Sequence, residues 1–263
     1  MVKNLMFWYK EYLKTKNCIK NNGKIDFSSY KFIDPILIIL LFDYITNNNV
    51  KYIKPNSDTT AEYIDFIINN YNKLNQITNS SYIPISSLTQ KNLYTMTEKL
   101  ENILKQKFSI ENANVFNYII GELFDNITNH SKSLTNYISA QYFKNLGFEI
   151  CVYDNGIGIP GSFKNSNIDF SNDSQAIKMA LNGQSTKKGN EHGFGLSSIN
   201  KLLLENETES IIASGKGIYY SKSKDIKFYE ADKSNSMTGT FIAIIFKNRE
   251  EFNSLNLYNY TDH

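Results

Sequence analysis

Glu122 and Asn126 lie four residues apart in a segment, 111–131, where Phe116, Ile120, Leu123 and Ile127 recur with the period of a helix. At about 100 degrees per residue the two polar side chains share one face, roughly 80 to 120 degrees round from that apolar stripe. A carboxylate and a carboxamide therefore edge the core together, where a cleft would open. The amide oxygen of Asn126 is a hard ligand suited to magnesium. Glu122 could orient and deprotonate a water or a hydroxyl nucleophile. On spacing alone, ordinary helix surface accounts for the same pair.

A second group, Asp154-x-Gly156-x-Gly158-Ile-Pro160, ends the apolar run 148–153. Glycines there let the backbone turn sharply and approach a ligand closely. The carboxylate can accept a hydrogen bond from an exocyclic amine such as that of adenine. A tight turn after a strand is the plainer account of Asp-Asn-Gly, although two glycines and a proline locked to one aspartate fit it less comfortably. The third group is Gly193-Phe-Gly195-Leu196, a glycine pair opening a helix, whose free amides and dipole suit an anion. It is neither a dinucleotide fingerprint early in a βαβ unit nor a Walker-type loop.

The elements that must carry these groups follow from patterning. Helices are predicted over 111–131, around 174–181 and from Gly195 through 204, and strands over 148–153, 211–214, 217–221 and 240–246. Upstream, 24–27 and 50–53 read as strands and 59–74 as a helix. A further helix opens at Pro35 behind Asp34, a sound start signal. The polar stretch 86–90 marks a boundary. This gives an α+β protein: residues 1–105 as a smaller α/β unit, 106–250 as a two-layer α/β sandwich, and 251–263 as a tail.

Composition narrows the class. The chain has 263 residues, 41% hydrophobic and 14% aromatic, ample for a packed core. A formal charge of +2 with mixed signs argues against a dedicated nucleic-acid binder. Cys18 and Cys151 form no zinc or disulfide pattern. The most apolar run, 36–42, is far shorter than the ~20 residues a membrane span needs. No signal peptide is legible, so the expectation is a cytoplasmic protein.

Taken in order, Glu-x3-Asn-x3-His, then DxGxGIP about 30 residues on, GxGL about 40 further and a late Gly239-Thr240 resemble the GHKL ATPase superfamily, the Bergerat nucleotide-binding fold. Its members include sensor histidine kinases, anti-sigma-factor serine kinases, mismatch-repair ATPases, gyrase-type topoisomerases and heat-shock chaperone ATPases. The resemblance covers about 140 residues and implies ATP and Mg2+ as ligands. It implies that Asn126 holds the magnesium and that Asp154 reads the adenine amine, with Thr240 beside it through its hydroxyl or a water. Gly156 and Gly158 would shape the adenine end, while Gly193, Gly195 and Leu196 would offer amides to the phosphates. Residues 161–192 would form a lid in which Lys187 or Lys188 meets the γ-phosphate. His192 would touch that phosphate or stand in solvated loop. His130 would pack half-buried beside the nucleotide rather than move a proton, and Asn129 would meet a phosphate, the ribose or solvent.

Glu122 stands where sensor histidine kinases carry asparagine. It resembles the general base of the hydrolytic members and of the anti-sigma serine kinases, the group whose pattern is nearest. The three histidines, His130, His192 and His263, all lie in or after the ATP module, which argues against a self-phosphorylating sensor kinase. Residues 24–35 and the apolar helix behind them loosely resemble a STAS domain. Asp34-Pro35 occupies the place of the phosphorylatable serine, so docking is the expected role. The implied function is a Mg-ATP-dependent switch acting on a protein partner, a regulator or STAS-like protein, through slow hydrolysis or Ser/Thr phosphotransfer, with a homodimer compatible. The alternatives are a non-catalytic ATP-binding module and a DNA clamp ATPase, the latter disfavoured by the near-neutral charge and the lack of a transducer domain.

Overall fold

The computed structural model describes residues 3–70, 81–127, 133, 135–186 and 195–247. Helix α1 (Leu5–Asn22) starts where Asn4 accepts a hydrogen bond from the Phe7 amide, and it closes on a Gly23 N–H donated to the Ile19 carbonyl. Strand β1 (Lys24–Asp26) pairs in parallel with β2 (Lys51–Ile53), with α2 (Pro35–Thr46) between them in the chain. Asp34 caps α2 through the Ile36 amide at 3.0 Å, and Pro35 supplies the first turn, as the sequence signal predicts. Nine of the twelve α2 residues are buried, which a helix apolar all round requires. Helix α3 follows (Asp58–Asn70).

The large sheet begins with β3 (Tyr82–Ser87). Helices α4 (Leu93–Lys107) and α5 (Ile110–Asp125) come next, then strands β4 (Asn136–Phe143) and β5 (Gly147–Asp154). Three helices follow: α6 (Gly158–Asn165), α7 (Asp173–Leu181) and α8 (Gly195–Glu205). The chain then runs through β6 (Glu209–Gly215), β7 (Gly217–Lys222), β8 (Asp225–Glu230) and β9 (Met237–Phe246). The strand order is β3-β4-β5-β9-β6-β7-β8, antiparallel at every step. The architecture is α+β, as the patterning indicates. Patterning did not disclose α1, α4, α6, β3, β4 and β8.

All eight residues of β5 are buried, so both faces of the sheet are covered. Phe148, Ile150 and Val152 point to one face and join α4, α5, α7 and α8 in a single apolar cluster. Cys151 and Tyr153 point to the other and join α1, α2 and α3 in a second. The described residues of 3–105 thus pack on and into the sheet: β3 is its edge strand, and α1 to α3 form a layer across the face that a two-layer sandwich would leave to solvent.

Long-range polar contacts fasten that layer. The buried carboxylate of Glu209 on β6 accepts from the Leu5 amide at 2.7 Å and from the Tyr220 hydroxyl at 3.1 Å, and pairs with Lys222 at 3.0 Å. Lys16 on α1 donates to the Ser236 carbonyl at 2.6 Å, 220 residues away in the chain. Glu209→Ala would leave a helix-start amide and a buried hydroxyl without their acceptor. It should lower the unfolding free energy by about 1–3 kcal/mol, read as a lower urea midpoint at unchanged slope. An unchanged midpoint would mean that α1 is held without this contact.

Candidate functional site

The strands β5 and β9 stack in register: Phe148 opposite Phe246, Ile150 opposite Ile244, Val152 opposite Ile242, and then Asp154 opposite Thr240. Pairing continues into β6, where Ile212 faces Ile242 and Ser214 faces Thr240. Cross-strand partners share a face, so Asp154, Thr240 and Ser214 extend three apolar rows on the side covered by α5, α7 and α8. The row turns polar at its end, and there a recess opens. Its lining includes Asn126, Asp154, Gly158, Gly195, Leu196 and Thr240.

The turn beyond β5 is built to hold Asp154 still. The Gly156 amide donates to its carboxylate at 2.8 Å. The Ser214 hydroxyl donates to the Gly239 carbonyl at 2.8 Å and accepts from the Ile159 amide at 2.9 Å, tying the start of α6 to β9. Gly158 has φ +69, and a Cβ there would lie 2.5 Å from the Ser214 hydroxyl and 2.8 Å from the Gly239 carbonyl oxygen. Gly239 has φ +73, and a Cβ there would sit 1.9 Å from the Asp154 carbonyl oxygen. Both glycines are required by backbone conformation and by close approach. Asn155 is tied to the segment before β4: its amide donates to the Thr135 carbonyl at 3.2 Å, and its side-chain oxygen accepts from Ser133 at 2.7 Å.

The walls come from the helices. The end of α5 widens into a π turn at Asn126 and Ile127, a geometry that recurs at functional sites because it re-aims a side chain. The Asn126 amide nitrogen is buried with no partner among the described residues. Opposite, α8 begins at Gly195, leaving its first amides without helical partners. Tyr219 on β7 donates to Asn200 of α8 at 2.6 Å and fixes that helix on the sheet. The N-terminus of α7 is held by the Asn172 cap and by an Asp173 carboxylate accepting from the Lys216 amide at 2.8 Å. This places Ala180 and residues 183–186 along the rim. The enclosed volume is about 130 Å³, small beside the ~300–1,000 Å³ of ordinary ligand pockets. A recess of this size has room for only part of a ligand as large as those pockets take.

Six of the residues singled out by sequence meet here: Asn126, Asp154, Gly158, Gly195, Leu196 and Thr240. Gly156 supports the turn from beneath. Glu122 is half-buried one turn back on α5 and is absent from the recess lining. Asn129, His130, Lys187, Lys188, His192 and Gly193 lie outside the described residues. Sequence reasoning missed Ser214, Ser162 and Phe163. For Ser214 a signal existed, because a lone serine ending an apolar strand must face inward. Nothing in the pattern of 161–173 announced α6, which carries the other two.

No protein-family model matches the chain, and no curated protein matches it. Among solved structures, the topoisomerase IV ATP-binding domain of Francisella tularensis, in complex with a small-molecule inhibitor, aligns at 17% identity with a TM-score of 0.29. The alignment covers 69% of this chain and 48% of that one, so this chain spans about half the length of that structure. The chemistry of the recess therefore stands on its own residues.

Burial pushes the Asp154 carboxyl up to about 6 from an ordinary 3.8, against the opposing pull of hydrogen bonds from Gly156 and Thr240. A carboxyl raised in the folded state favours folding most below pH 3.8, and that contribution is lost as pH rises through about 6. Asp154→Asn keeps the shape without the charge. Its unfolding free energy should gain on the wild type by about 2 kcal/mol between pH 4 and pH 7.5, measured by urea unfolding at each pH. A difference between the two proteins that does not vary with pH would contradict the raised titration.

Proposed function

We propose that this recess binds Mg-ATP and that the chain works as a nucleotide-dependent switch on a protein partner. The observation that carries the reading is a buried, rigidly held carboxylate at the end of a central strand, with an underused carboxamide and a helix start lining the same recess. Asp154 supplies an acceptor for the exocyclic amine of adenine, with the Thr240 hydroxyl beside it. The first amides of α8 suit phosphate oxygens. The order of motifs that resembles the GHKL superfamily supports the same assignment.

The residues present fit a magnesium ion. Among the described residues no group of three His, Cys, Asp or Glu side chains could cage a metal. Magnesium does not require one, since it keeps several waters and takes phosphate oxygens with one or two protein ligands. Asn126 would be such a ligand through its amide oxygen, and its amide nitrogen is buried without a hydrogen-bond partner among the described residues. When bound, the ion would neutralise charge on the phosphates. The chain's own contribution is to orient the base at Asp154, to exclude water through Val152, Ile242 and Phe163, and to align the phosphates at α8.

Glu122 is the proposed general base, in hydrolysis or in transfer to a serine or threonine. Its absence from the recess lining favours a second reading, a module that binds ATP without turning it over and is stabilised by it through mass action. Under either reading residues 106–250 carry the nucleotide, and the preceding residues, including the STAS-like stretch, serve as docking surface.

Asp154→Asn should weaken ATP binding roughly 10- to 150-fold, the equivalent of about 1.5–3 kcal/mol for a lost charged hydrogen bond. Unchanged affinity by calorimetry would refute the site. Asn126→Ala should remove the magnesium dependence of binding; full retention would assign the ion elsewhere. Glu122→Gln should leave affinity intact and cut phosphate release or transfer by about 10²–10⁴-fold. Equal, measurable rates in both proteins would retire Glu122 as base, and background rates in both would establish the binding module.

A further inference from the structure

On the side of the sheet away from Asp154, a second and larger cavity opens between α1, the loop from β1 to α2 and the β4–β5 turn. At about 630 Å³ it falls within the range of small-molecule pockets. Its walls are aromatic. Trp8 stacks on Tyr30 with ring centres 6.3 Å apart and meets Phe32 edge-on at 6.1 Å; Phe32 in turn meets Phe143 at 6.4 Å. Trp8 is only 4% exposed, whereas Phe32 keeps 53% of its surface in water at the cavity mouth.

The charge of the rim has one sign. Lys3, Lys31 and Lys144 come from three different segments, and all three are exposed around the opening. Two carboxylates stand nearby, and both are engaged by the fold. Glu11 accepts from the Tyr30 hydroxyl. Asp34, at the cavity floor and buried, caps α2 and shares a hydrogen bond with buried Glu149. Flat rings inside and ammonium groups outside complement a ligand that is aromatic at one end and anionic at the other.

We propose that this cavity is a binding site for small planar aromatic compounds bearing a carboxylate. The rings lie against the exposed side of Phe32, over the aromatic wall that Trp8 and Phe143 back, and the carboxylate remains at the mouth among the lysines. The occupant is a small molecule, because the cavity's volume of about 630 Å³ lies in the small-molecule range and its lining includes buried Asp34. Since α1 is strapped to β6 through Glu209, an occupant would also stiffen the layer that backs the nucleotide sheet.

Trp8 is the chain's sole tryptophan, so its fluorescence reports on this cavity alone. The full chain would be titrated with 2-naphthoate, with its neutral amide 2-naphthamide and with cyclohexanecarboxylate, reading Trp8 quenching and calorimetric heat. Expected is saturable binding of 2-naphthoate at least tenfold tighter than either control. Phe32→Ala and Lys31→Glu, both at exposed positions, should each weaken it at least fivefold while leaving ATP affinity unchanged. The absence of saturation, or equal affinity for the amide, would overturn the proposal. So would naphthoate binding indifferent to both substitutions, which would place it elsewhere. The readout is independent of ATP, so failure of the nucleotide reading and failure of this one are distinguishable.

Discussion

The registration of β5 against β9 is the constraint on which the rest depends. Seven residue pairs run from Phe148–Phe246 to Asp154–Thr240 without a bulge. A slip of one residue would turn the Phe148 row out of its helical cover and move Asp154 to the opposite face. The apolar pairs fix the register strongly because both faces are buried. The polar pair at the end inherits its position from them. Asp154 is thus held in a poorly solvated place by a register that is set largely by apolar pairs deeper in the sheet, Phe148–Phe246 and Ile150–Ile244.

Burying a carboxyl in this way opposes folding, and the surroundings answer it locally. The Gly156 amide and Thr240 offer hydrogen bonds, and Ser214 clamps the turn to β9. The other side of the sheet repeats the situation with different chemistry. Asp34 and Glu149 are both buried and share a hydrogen bond, and desolvation pushes both carboxyls up, Asp34 to about 6. Like charges disfavour one another's ionisation, and the shared hydrogen bond joins α2 to β5. The central strand therefore carries a raised carboxyl on each face, five residues apart: one closes the N-terminal layer and the other faces the recess.

The helical layer formed by α1 to α3 changes what the sheet can do. A sheet with one open face can twist or accept a partner on that side. Here the face is filled by Tyr9, Leu37, Leu41 and their neighbours and strapped by Glu209, Lys16 and Lys20. That layer's exposed aromatic ring and lysine rim are its most distinctive surface.

Much of the nucleotide-like site was legible in the residues. Helical period placed Asn126 beside an apolar stripe, Gly158 after Asp154 announced close backbone approach, and Asp34-Pro35 announced the start of α2. These are local rules, fixed by period, sterics and capping. The tertiary structure decided what local rules do not encode. It put β3, which runs through Ile83-Pro84-Ile85 into the polar stretch 86–90 that reads as a boundary, on the sheet edge, where proline is tolerated. It opened α5 into a π turn at Asn126, left Glu122 outside the recess, and made Ser214 the clamp of the turn. Above all it laid α1 across the sheet through contacts more than 200 residues apart in the chain. No window along the sequence spans such a distance, since long-range packing follows from which faces remain uncovered once the strands have paired.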